Sequence, residues 1–172
     1  MISGLILVGR PADAAIESLA DTLSALVAGV AAGLVGDAVI VTDTASEALE
    51  TIAEGSGASL VVRPPGTDPW SAGAAAARRD WLLCLEAGDI PSEGWIRSLD
   101  RFVGTARPDL ALGRMRRPHA RPPVRLAAWV ESIVGVGRPR AGDVVRRSAV
   151  LAGLPFAPRL TARSLTARLE RA

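Results

Sequence analysis

The chain has 172 residues, which is enough for one domain with a substantial hydrophobic core. Hydrophobic residues make up 49% and charged residues 22%, a composition that excludes an intrinsically disordered chain. The formal net charge is only +2, there is no lysine, and the single cysteine, Cys84, excludes a disulfide scaffold or a cysteine-based zinc site within one chain.

The N-terminal segment MISGLILVGRP carries no signal-peptide pattern, because it lacks a basic n-region and its apolar stretch is too short. Further along, the uncharged run between Asp21 and Asp37 is shorter than the ~20 residues that a membrane span needs. We therefore expect a soluble, cytoplasmic protein, with contact at the inner face of the membrane as the alternative.

Strand and helix patterns alternate through the first half of the chain. Short apolar runs predict strands at 5–8, 38–42, 60–62 and 81–85. Helical spacing of apolar residues or helix-forming composition predicts helices at 13–32, 46–54, 70–79 and 95–103, with Ser46 as an N-cap. This alternation is typical of a parallel α/β sheet built from right-handed crossovers.

Charged residues follow several of these predicted strands. Arg10, Asp43 and Arg63 come just after the first three strands, and Glu86 and Asp89 follow the fourth. Ligands of such sheets bind beyond the carboxyl ends of the strands, so we expect these side chains to converge on one crevice. Arginines at strand ends are also suited to bidentate contact with phosphate.

The second half is less regular. The pattern allows a fifth strand at 110–115, followed by a basic, proline-rich loop, RMRRPHARPPVR, at 114–125. An amphipathic helix is predicted at 126–134 and a short terminal helix at 164–171, while 144–151 fits a strand or a helix.

Three segments resemble the family 2 glycosyltransferases with a GT-A fold, in particular their small bacterial branch. They are ILVGRPADAA, VIVTDTASEA and the longer AGAAAARRDWLLCLEAGDIPSEGW. The resemblance implies a single α/β GT-A-like (nucleotide-diphospho-sugar transferase) domain, with a mostly parallel central sheet and helices on both faces. Residues 1–105 would form the nucleotide-sugar-binding half and residues 106–172 a smaller acceptor-side region.

The resemblance also implies roles for individual residues. Asp43 corresponds to the acid that contacts the nucleotide base or ribose, and Glu86, Ala87 and Gly88 fall on the family's Asp-x-Asp. Those acids hold Mg²⁺ or Mn²⁺, which neutralises the departing diphosphate. Because Gly88 carries no carboxylate, Asp89 could replace the second acid only if the turn re-aims it.

The acceptor side departs from the family pattern as well. Arg140 stands where an acid is usual, and Thr161 and Ala162 stand where the family carries the Glu-Asp pair that supplies the catalytic base. Neither can accept a proton at neutral pH. Asp143 is the nearby acid that could act as a substitute base.

Three functional hypotheses follow. The first is an active transferase that passes a sugar from a nucleotide-diphosphate donor to an unknown acceptor hydroxyl, which could be lipid-linked. The second is a catalytically degenerate GT-A domain that acts as a nucleotide-binding or scaffolding module. In the third, the arginine-rich loop 114–125 binds anionic lipid or nucleic acid, although the loop has no interleaved aromatic residues for base stacking.

Other site classes lack their motifs. The only histidine, His119, lies in the proline-rich loop, and no nucleophile elbow accompanies it. The sequence contains no GxxxxGK[ST] phosphate loop and no GxGxxG after the first strand, which argues against a P-loop NTPase or a Rossmann dehydrogenase.

Overall fold

The computed structural model describes residues 1–9, 13–106, 112–117, 138–152 and 163–172. Several sequence expectations lie outside these residues and stay predictions. They are Arg10, His119, the arginines at 121 and 125, the helix at 126–134, and the pair Thr161 and Ala162.

The first half of the chain forms the alternating α/β unit that the sequence predicts. Its elements are β1 (Ile2–Val8), α1 (Asp13–Ala31), β2 (Val35–Thr42), α2 (Glu47–Ser56), β3 (Ser59–Val62), α3 (Pro69–Ala76) and β4 (Trp81–Glu86). Strands β3, β2, β1 and β4 lie in that order and are all parallel. The predicted cap at Ser46 is confirmed, because its hydroxyl accepts a hydrogen bond from the Leu49 amide at 3.3 Å.

The rest of the chain extends the same sheet with mixed pairing. Its elements are β5 (Asp89–Pro91), α4 (Trp95–Thr105), β6 (Leu112–Arg116), β7 (Asp143–Arg146), α5 (Arg147–Leu151) and β8 (Arg163–Arg171). Strand β7 is antiparallel to β4 and β6, β8 is parallel to β6, and β5 is antiparallel to β8. The full order is β3-β2-β1-β4-β7-β6-β8-β5, so both halves of the chain contribute to one sheet.

The expected terminal helix at 164–171 is wrong, because this segment is strand β8. Leu165, Ala167 and Leu169 are buried, while the residues between them are exposed. This period of two is the pattern of a strand with one face on the core. The segment 144–151, for which strand and helix were both open, contains the last three of the four residues of β7 and then all of α5.

Hydrophobic clusters cover both faces of the sheet. One contains Ile6 of β1 with Leu19 of α1, Leu49 of α2 and Leu99 of α4. The other lies on the opposite face and includes side chains of β1, β2, α3, β4 and α5, among them Leu5, Val41, Trp70, Cys84 and Val150. The predicted fold class, a single α/β domain with helices on both faces, is confirmed.

One helix in the described part of the chain, α1, is long and apolar enough to cross a membrane by length and composition. The segment that meets this criterion is Ala14–Ala31, which includes the acids Glu17 and Asp21. It is therefore longer than the uncharged run between Asp21 and Asp37 that was considered from the sequence. The core helix of a soluble protein meets the same criterion, and α1 packs Leu19 and Leu26 into the core.

Candidate functional site

The carboxyl ends of the parallel strands bring the predicted acids to one edge of the sheet. Leu7 of β1 pairs with Glu86 of β4, and Val8 pairs with Thr42 of β2. Neighbouring strands are about 4.8 Å apart, so the backbones at 43 and 86 lie roughly 10 Å apart across the end of β1. Such a gap between two strand ends is where ligands of open α/β sheets bind.

Asp43 contacts Arg63, the residue that follows β3. The Arg63 Nε donates to the Asp43 carboxylate, and an Arg63 terminal nitrogen donates to the Thr67 carbonyl. This hydrogen bond with Arg63 holds the pKa of the Asp43 carboxyl below its usual value. The Asp43 side chain remains 50% exposed, so the carboxylate stays accessible to a ligand.

The turn between β4 and β5 re-aims Asp89 toward the interior. Gly88 has a φ of +93°, a conformation that L side chains rarely adopt, and its amide donates to the Thr22 hydroxyl at 2.9 Å. The Asp89 carboxylate then accepts a hydrogen bond from the Glu86 amide at 2.8 Å. The glycine therefore closes a tight turn in which Asp89 is buried beneath the strand end.

Asp89 is completely buried and contacts Arg117, the residue after β6. The Arg117 guanidinium donates to Asp89 Oδ2 at 2.7 Å, while Oδ1 has no hydrogen-bond partner among the described residues. Burial raises the pKa of the Asp89 carboxyl, and the Glu86 amide and Arg117 offset part of that rise.

Glu86 lies at the solvent side of the same turn and contacts Arg171. The Arg171 guanidinium donates to Glu86 Oε2 at 2.8 Å, with the two side chains 58% and 43% exposed respectively. Sequence reasoning missed this partner because it placed 164–171 on a helix. In a strand, Arg171 shares the face of Leu165, Ala167 and Leu169 and lies beyond their core contacts.

Asp143, the candidate substitute base, is also buried and engaged on both oxygens. Arg114 donates to Oδ1 at 2.7 Å and to Oδ2 at 2.9 Å, and the Arg140 amide donates to Oδ2 at 3.0 Å. Burial raises the pKa of this carboxyl, and the bonds from Arg114 oppose that rise. This geometry gives Asp143 a structural partner rather than an open path to an acceptor.

Two arginines at the start of the basic loop therefore contact buried acids of the same chain. Arg114 binds Asp143 and Arg117 binds Asp89. Their contacts fix the end of β6 to the edge of the sheet, and this part of the predicted loop is not simply a solvated patch of positive charge.

The acids of the β4–β5 turn fit a divalent metal poorly. Glu86 and Asp89 each contact an arginine, and position 88 supplies no side-chain oxygen. Within the described residues, no group of three or more His, Cys, Asp or Glu side chains could hold a metal ion. A hard cation such as Mg²⁺ needs several oxygen ligands, and a paired guanidinium competes for the same oxygens.

No protein-family model and no curated protein sequence matches this chain. Solved structures do match, and together with the eight-stranded mixed sheet they define the fold as that of GT-A-like glycosyltransferases. The particular neighbours are structures of glucosyl-3-phosphoglycerate synthase from Mycobacterium tuberculosis.

One of these structures, a complex with Mn²⁺, UDP-glucose and phosphoglyceric acid, matches all of this chain with a TM-score of 0.64 at 19% identity and 71% coverage of its own chain. A complex with Mn²⁺ and UDP-glucose matches with a TM-score of 0.61 at 23% identity, and the match covers 92% of this chain and 60% of the other. A complex with Mn²⁺, UDP and phosphoglyceric acid matches with a TM-score of 0.59 at 22% identity, and the match covers 86% of this chain and 56% of the other. This chain thus spans less than two thirds of most of these chains.

Proposed function

We propose that this chain is a glycosyltransferase of the GT-A type, which binds a nucleotide-diphosphate sugar over the carboxyl ends of β1, β2 and β4 and transfers the sugar to an acceptor hydroxyl. The observation that carries the proposal is the convergence of Asp43 and the Glu86–Asp89 turn at that edge. Similarly folded structures bind UDP-glucose, which supports a donor of this class.

In the proposed reaction, the acceptor oxygen forms a bond to the anomeric carbon of the sugar. The bond from that carbon to the β-phosphate oxygen breaks, and its electron pair leaves with the nucleoside diphosphate. The hydroxyl proton passes to a base. The residues of this chain contribute by orienting the donor and by stabilising the charge that develops on the diphosphate.

On the donor side, the proposal assigns nucleotide contact to Asp43, with Arg63 fixing the orientation of its carboxylate. The accessible carboxylate is suited to accept hydrogen bonds from ribose hydroxyls or from a base. The resemblance implies Mg²⁺ or Mn²⁺ at Glu86 and Asp89, and the neighbouring structures hold these ions. Since both acids contact arginines here, the proposed reaction includes no step on a metal.

The first test is calorimetric titration with a panel of nucleoside diphosphates that includes UDP and GDP. We expect one of them to bind, and Asp43→Ala to weaken that binding by about tenfold, the worth of one charged hydrogen bond. Asp21→Ala, an exposed acid on α1, is the matched control and should bind as the wild type does. Absence of binding by the whole panel would overturn the proposal.

A second candidate function is a nucleotide-binding domain without turnover. The engagement of Asp143 by Arg114 favours it, because a base held on both oxygens is a poor proton acceptor. Release of nucleoside diphosphate from the sugar donors that bind distinguishes the two functions. Release above that of the Asp43→Ala protein supports the transferase, and binding without release supports the non-catalytic domain.

A further inference from the structure

We propose that Arg117 and Arg171 bind the diphosphate of the donor in the place where GT-A-like enzymes use a divalent metal, so that donor binding by this chain is independent of metal. The inference rests on the proposed function, because it assigns the residues that meet the diphosphate in the same site. It follows from the observation that the acids of the β4–β5 turn contact arginines and fit a divalent metal poorly.

Both arginines come from strands on the far side of β4 and reach the same turn. Arg117 follows β6 and contacts Asp89 at 2.7 Å, and Arg171 ends β8 and contacts Glu86 at 2.8 Å. The pairing of β5 with β8 places Asp89 opposite Arg171 in the sheet, so the backbone sets the position of Arg171 beside the turn. The two guanidinium groups therefore flank the segment that aligns with the family's metal motif.

The charges explain why this arrangement does not attract a divalent cation, and the N–H donors explain how it can bind an anion. Two carboxylates alone would give the turn a charge of −2, which attracts a divalent ion, whereas two guanidinium groups cancel it. Each guanidinium has five N–H donors in a planar fork, and the contact with its carboxylate engages one terminal nitrogen in each case. The other N–H donors of each guanidinium have the spacing needed to bind two phosphate oxygens at once.

Exposure permits this role. The Arg171 side chain is 58% exposed and the Arg117 side chain 26% exposed, so a ligand over the carboxyl edge can reach both. Glu86 and Asp89 then act as positioning residues that hold the guanidinium groups toward the donor. The competing explanation is that the two pairs only attach β6 and β8 to the β4–β5 turn.

The test uses the full chain and four probes, which are Mn²⁺ alone, UDP, UMP and pyrophosphate as the bare diphosphate. We expect no calorimetric signal for Mn²⁺ alone, and UDP and pyrophosphate affinities that are the same in excess EDTA and in excess Mn²⁺. Arg171→Gln should weaken UDP and pyrophosphate by about tenfold or more and leave UMP unchanged, as loss of a charged hydrogen bond to the β-phosphate requires.

Two further variants separate ligand contact from folding. Arg117→Lys keeps the charge beside buried Asp89 but loses the planar fork, so it should fold and still weaken UDP. Arg168→Gln changes an exposed arginine on the other face of β8 and should bind like the wild type.

The outcomes distinguish this inference from the proposed function. UDP binding that requires Mn²⁺ overturns the arginine assignment while supporting donor binding. The arginine assignment is also overturned if Arg171→Gln and Arg117→Lys bind UDP with wild-type affinity. It is overturned as well if these substitutions lower the affinity for UMP as much as the affinity for UDP. If no nucleoside diphosphate binds with or without metal, the proposed function fails and the inference fails with it.

Discussion

Acidic side chains around the carboxyl edge contact arginines, and these pairs differ in burial. The Asp43–Arg63 pair is open to solvent, with the Asp43 side chain 50% and the Arg63 side chain 24% exposed, so it contributes little to stability. The Asp143 carboxylate is fully buried against Arg114, so removing one partner leaves an uncompensated charge. The same pairing therefore orients a ligand-binding group in one place and supports the fold in the other.

Replacing the buried acid should reveal its structural role. Asp143→Asn should lower the free energy of unfolding by about 3 kcal/mol at neutral pH, because Arg114 loses its carboxylate. Urea denaturation measures this, with the exposed Asp21→Asn as control. A variant that is as stable as the wild type, but has lost sugar transfer, would instead identify Asp143 as the base.

Gly88 offers a prediction about the turn. Its φ of +93° disfavours any side chain, so Gly88→Ala should cost about 1–2 kcal/mol in urea denaturation. Gly55 is a contrasting control within α2, where an added Cβ meets nothing within 4 Å. Gly55→Ala should raise stability by about 0.5 kcal/mol. Equal effects of the two substitutions would show that the turn at Gly88 does not have this conformation.

At the scale of elements, β8 can be tested against the helix that the sequence suggested. Ala167 is buried and Arg168 exposed in the strand, whereas a helix with Leu165 and Leu169 facing the core would place Arg168 nearer that face and Ala167 away from it. Ala167→Asp should therefore lower the melting temperature strongly and Arg168→Asp only slightly. If Arg168→Asp lowers the melting temperature more than Ala167→Asp does, the segment is a helix and the strand is contradicted.

Some elements follow from local sequence and others do not. Helix α1 and strand β4 are predictable because their apolar spacing is long and regular. The alternation of Leu165, Ala167 and Leu169 was present in the sequence, but the segment also fits a helix by composition. Strand β5 has only three residues and exists because it pairs with β8, some 80 positions further along the chain. Such a pairing leaves no local signal.

At the scale of the whole molecule, the sequence predicts part of the site. The order of strands and helices brings Asp43 and the Glu86–Asp89 turn to one edge, as expected for parallel strands. The partners of these acids could not be predicted, because Arg117 and Arg171 reach the turn from strands that follow it in the chain and join the sheet elsewhere. Their roles depend on tertiary contacts that a linear pattern does not encode.

The most direct test of the proposed site is hydrogen–deuterium exchange of the full chain with and without saturating UDP, or another nucleoside diphosphate that binds. We predict slower exchange on ligand addition in the segments 43–45, 63–67 and 86–89, which surround the carboxyl ends of β2, β3 and β4. Protection confined to segments away from this edge would contradict the proposed site.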